Sequence, residues 1–156
     1  HNSVFNAAAG YWSIASGSQK PSTSLSCHDF TFAAGLIESI AQIAAERQPV
    51  LLVTYDWPPP PPLQAKRPVS VAFSVGLLLS PRQSGKSLAE LGVEMTTSGT
   101  GLVTRMEDEN LERLRCGNPA GRVLPLLKTI ACRQSDTICL DYFGENKIQL
   151  IVTPLA

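Results

Sequence analysis

Cys27, His28 and Asp29 follow one another in the chain, and a thiol, an imidazole and a carboxylate are the usual parts of covalent acyl chemistry. Adjacent residues on a strand point to opposite faces, so His28 cannot activate Cys27 there; a turn relaxes that constraint. The plain alternative for Cys27 is a buried, inert thiol. Asp29 suits the cap or first turn of a helix, where its carboxylate meets unpaired backbone N–H groups. A carboxylate cannot form and pass on a thioester as a thiolate does.

The elements around this triplet follow from pattern. Small residues at Ala7, Ala8, Ala9, Gly10, Ala15 and Ser16 predict a tightly packed helix over 6–18 that ends at Gly17, with Tyr11 and Trp12 in the core. Pro21 stops that helix, and Ser22–Ser26 is a short strand. From Asp29 to Arg47, Phe32, Leu36, Ile40 and Ile43 recur at helical spacing, and Ala33, Ala34 and Gly35 permit close approach to a sheet. The branched run from Val50 to Tyr55 reads as a buried strand. Five prolines, Pro58 to Pro62, make a stiff connector.

Further strands are expected over 69–79 and 91–97, and helices over 107–115 and 120–132. Thr137–Tyr142 and Ile148–Thr153 form a C-terminal β-hairpin through Gly144-Glu145-Asn146. The order predicts an α/β class: a layered mixed sheet flanked by helices. Gly85-Lys86-Ser87 resembles the end of a phosphate loop but lacks the earlier glycine, since position 80 is Ser80. Ser98-Gly-Thr-Gly101 reads as a turn.

With 156 residues, the chain is expected to be one domain over 1–156. Thirteen basic residues balance thirteen acidic ones, which gives no electrostatic case for nucleic acid or an anionic membrane. No apolar run has the length of a membrane span. The four cysteines lack metal-ligand spacing, so reduced thiols in a cytoplasmic protein are expected, with no metal and no cofactor.

Several segments together resemble the N-terminal domain family of β-ketoacyl synthases. They are Ser3-Val-Phe-Asn6 with Gly10, the phrases at 6–15 and 32–36, the run from Lys20 to Gly35, and the strands Val50–Asp56 and Val71–Leu79. The resemblance covers about Asn2 to Leu79 and weakens over the last 70 or so residues. It implies one half of a thiolase-like fold, with the family's first strand and helix lying upstream of His1. Pro21 and Ser22 fall on the family's Pro and Asn/Ser, and its reactive cysteine falls on Asp29; Cys27 stands two residues too early. The family's paired histidines have no counterpart, because the two histidines here are His1 and His28.

The resemblance therefore implies a chain that leans away from catalysis: a non-condensing subunit in the style of a chain length factor. It would work with an active ketosynthase and acyl carrier protein in fatty acid, polyketide or aryl polyene biosynthesis. A residual acyltransferase or malonyl decarboxylase using Asp29 or Cys27 is the alternative. Asn6, Gly10, Phe30 and Phe32 are expected around the residual pocket. The strand Ser22–Ser26, an exposed edge, is expected to pair with its twin or with the active subunit.

Overall fold

The computed structural model describes residues 6–97 and 101–155. Helix α1 (Ala7–Ser16) ends at Gly17, whose φ of 64° is the left-handed geometry the sequence predicts. The helix is otherwise unlike its expectation. Tyr11 and Trp12 are 63% and 59% exposed, and no residue of α1 is buried. Of its residues only Ala7, Ala9 and Ser13 are even partly covered by the described structure, and the two aromatic rings are surface groups. Asn6 tethers the start of the helix by accepting a hydrogen bond from the Ser24 hydroxyl (3.0 Å).

Residues 21–27 are extended, but Ser22–Ser26 joins neither sheet of the described structure, which corrects the strand expected there. The segment runs instead along α2 (Thr31–Glu46), where Gln42 Nε2 donates to the Thr23 hydroxyl at 3.1 Å. A 3-10 turn, His28–Phe30, joins the two. Thr31 secures this junction: its hydroxyl accepts from the Cys27 N–H (3.0 Å) and donates to the His28 carbonyl (2.6 Å).

Strands β1 (Val50–Asp56) and β2 (Phe73–Leu79) pair antiparallel, from Val50 opposite Leu79 to Asp56 opposite Phe73. Between them lie the prolines and a single turn of helix, α3 (Leu63–Lys66). β3 (Ala89–Thr96), β4 (Asp136–Asp141) and β5 (Lys147–Pro154) form a second antiparallel sheet in the order β3-β5-β4. The α/β class and the C-terminal hairpin are as expected, and the strands divide into two sheets. Helix α4 (Glu109–Gly117), a 3-10 segment at Pro119–Val123 and α5 (Leu124–Ala131) connect β3 to β4.

Helix α2 holds the two sheets together. Phe32 and Leu36 are fully buried with Val123, Leu126, Ile138, Ile148 and Leu150 of the second unit. On another side Gly35 meets β1 so closely that an added Cβ would lie 2.9 Å from Leu52 Cδ1. β1 is not buried on both faces as its sequence suggests. Alternate residues point away from α2, leaving Val53 and Tyr55 half exposed and Leu78 of β2 74% exposed. Its continuous apolar run reflects two apolar faces, of which the described residues cover one.

Asn118 closes the junction between the sheets. Fully buried, it accepts from the Ala120 N–H (2.8 Å) and donates to the Val71 carbonyl (2.7 Å), so the start of the 3-10 segment is tied to the approach to β2. None of the helices is long and apolar enough to cross a membrane among the described residues. Gly85-Lys86-Ser87 sits in a loop closed by its own serines, with the Ser84 N–H donating to the Ser87 hydroxyl at 2.9 Å. Ser98, Gly99 and Thr100 of the expected glycine turn lie outside the described residues, as do His1 to Phe5.

Candidate functional site

Asp29 lies in the 3-10 turn where an extended segment bends into α2. It does not cap that helix, since no side chain accepts from the first N–H groups of α2. The side chain is 56% exposed and meets Arg67, whose Nη2 donates to Oδ1 at 3.4 Å. The same guanidinium donates through Nη1 to His28 Nδ1 at 2.8 Å; arginine carries donors alone, so Nδ1 accepts. Arg67 comes from the segment after α3, so the proline-rich connector delivers a cation to this turn. At this exposure and distance the ion pair contributes little to stability, on the order of 0–1 kcal/mol.

His28 holds φ at 53°, and its ring is occupied by Arg67. Cys27 is partly buried, and no hydrogen bond links its sulfur to His28 among the described residues. The two side chains are neighbours in sequence without forming a nucleophile–base pair.

Behind the turn is a cavity of about 260 Å³. Asp29, Phe30 and Ala33 form one wall, Leu140, Asp141, Tyr142 and Gly144 another, and Val103, Arg115 and Arg122 complete it. An aromatic cluster fixes the first wall to the second. Phe30 stacks at a tilt on Phe143 with centroids 5.0 Å apart, and Tyr142 meets Phe143 edge-on at 4.9 Å. Such pairs add about 0.5–1.5 kcal/mol beyond burial. The hairpin turn, with Gly144 at φ 64°, thereby positions the bend that carries Asp29.

The charges at the cavity are mostly paired. Arg115, only 4% exposed, grips Glu112 in a bidentate pair with Nε–Oε2 2.7 Å and Nη2–Oε1 2.6 Å. The hydrogen bond from Arg115 lowers the Glu112 pKa from 4.5 to about 2, against the opposing effect of burial; the Met106 N–H also helps. Lys147 bonds Asp141, which raises the lysine's own pKa. Arg122 also lines the cavity, is partly buried, and has no acidic partner among the described residues. Cys139, on the neighbouring strand, is a buried thiol whose pKa burial pushes up.

Of the residues singled out from sequence, the fold gathers Asp29 and Phe30 at the cavity. Phe32 belongs to the fully buried core. Asn6 and Gly10 do not line the cavity; Asn6 bonds Ser24, and Gly10 has open space where a Cβ would lie. The residues that sequence reasoning missed are Arg67, Arg115, Arg122, Asp141 and Tyr142. One of them had a local signal: Glu112 and Arg115 stand three apart on a helix, the spacing of a paired acid and base.

The family described as beta-ketoacyl synthase, N-terminal domain, matches residues 2–116, and the chain belongs to that family. The two antiparallel sheets flanked by helices are consistent with half of a thiolase-like ketosynthase fold. The match extends 37 residues beyond Leu79, through α4, and leaves the segment carrying Arg122 and the hairpin outside it. No curated protein and no solved structure matches the chain significantly.

Proposed function

We propose that this chain is a non-condensing ketosynthase-like subunit, in the style of a chain length factor. It acts beside an active ketosynthase on chains carried by acyl carrier protein, in fatty acid, polyketide or aryl polyene biosynthesis. The observation that carries this reading is Asp29 itself. A carboxylate occupies the bend before α2, the position at which the family resemblance places the reactive cysteine. An acyl group on that carboxylate would be an anhydride open to hydrolysis, without the thioester exchange that condensation needs. Ser22–Ser26 joins no sheet among the described residues, so its backbone groups are open to pairing with the partner or with a second copy.

The test is reconstitution with an active ketosynthase and with acyl- and malonyl-loaded carrier protein. The chain alone is expected to neither condense nor decarboxylate, and Asp29→Ala is expected to behave alike. Together with the ketosynthase it is expected to sediment as a complex and to shift the distribution of product chain lengths. Malonyl-carrier decarboxylation by the chain alone that vanishes in Asp29→Ala would replace this reading with the enzymatic alternative. Acyl transfer that vanishes in Cys27→Ser would do the same.

A further inference from the structure

We infer that the cavity behind Asp29 binds a short-chain monocarboxylate, with the carboxylate on Arg122 and the hydrocarbon body against Phe30, Val103 and Leu140. The arginines of the lining point to this ligand. Three acids at or beside the cavity each have a cation: Asp29 has Arg67, Glu112 has Arg115, and Asp141 has Lys147. Arg122 also lines the cavity and has no acidic partner among the described residues. A carboxylate is the planar anion that a guanidinium fork fits.

Arg115 adds to the same pole. Its Nε and Nη2 are committed to Glu112, and Nη1 has no protein acceptor among the described residues. The apolar part of the lining, Phe30, Ala33, Val103 and Leu140, gives an inorganic ion nothing to gain, whereas each methylene of an acyl chain would be removed from water there. The cavity's 260 Å³ lies below the roughly 300–1,000 Å³ usual for drug-sized ligands, which limits the chain to a short one.

The inference stands on the cavity and not on pairing with a condensing partner. Its test uses this chain alone, so either reading can fail while the other survives. Calorimetric titrations at constant ionic strength would compare straight-chain carboxylates from acetate to octanoate, the matching alcohols, and inorganic phosphate. Affinity is expected to rise about fourfold per methylene, the equivalent of full burial of each CH₂, until the chain outgrows the cavity. The alcohols are expected to bind at least tenfold more weakly. Arg122→Gln is expected to lose at least tenfold in carboxylate affinity, with Arg122→Lys retaining part of it.

The proposal is overturned by absence of saturable binding across the series, by phosphate binding as tightly as the best carboxylate, or by unchanged affinity in Arg122→Gln. Should that variant fail to fold, the comparison of carboxylate with alcohol on the unaltered chain decides.

Discussion

Phe32→Ala should lower the unfolding free energy by about 4 kcal/mol, within the 3–5 kcal/mol typical for deleting a buried phenyl ring. The ring is fully buried where α2 meets the 3-10 segment, α5 and the second sheet, so its loss leaves a cavity in the core. Stabilities of such domains are about 5–15 kcal/mol, so the change removes a large share of the total. The melting temperature should fall by on the order of 10 °C. Urea unfolding followed by far-UV circular dichroism is the suitable measurement, because Trp12 and Trp57 are both largely exposed and report poorly on the core. A loss under 1 kcal/mol would mean that Phe32 faces a pocket after all. Phe32→Leu, which keeps most of the volume, should leave carboxylate affinity unchanged, and that separates packing from ligand contact.

The same residue shows what sequence could and could not convey. The spacing of Phe32, Leu36, Ile40 and Ile43 identifies α2 and its buried stripe, since a helix repeats its faces every three or four residues. It does not say which neighbour the stripe meets, so Phe30 and Phe32 look alike until the fold sends one to the cavity and the other to the core. The late hairpin was legible for a similar local reason: two apolar strands flank a glycine that adopts positive φ. Division of the strands into two sheets was not legible, because pairing partners are set by distant segments. Tyr11 and Trp12 mislead in the opposite sense, as large apolar residues on a helix none of whose residues is buried by the described structure.

The electrostatics of the site were the least visible part. Arg67 reaches Asp29 across 38 residues, and the proline connector that brings it there reads in sequence as a spacer. Arg122 lies beyond the family match, in a segment with weak resemblance to anything, yet it supplies the unpaired charge of the cavity. The family portion provides the bend and the helix. The remainder provides the other wall, through Leu140, Asp141 and Tyr142.

Glu112→Gln should cost about 3 kcal/mol at neutral pH, because it leaves the buried Arg115 charge without its partner. Glutamine keeps the shape and can still accept from the Met106 N–H, but its NH2 replaces the oxygen that accepts from Arg115 Nη2, so the loss reports the charge and that hydrogen bond rather than the packing. The pH dependence gives a second signature. In the folded protein Glu112 titrates near 2 rather than 4.5, so its contribution to stability is complete above about pH 4.5 and is lost as pH falls toward 2. Urea titrations across that window should therefore show the gap between the unaltered chain and Glu112→Gln narrowing as the solution becomes more acidic. Arg115 stays charged throughout, its pKa being raised further by the same pair. A gap that remains constant from pH 6 to pH 2.5 would place the effect in packing. In that case the Arg115 guanidinium would not be the anchored cation that the cavity requires.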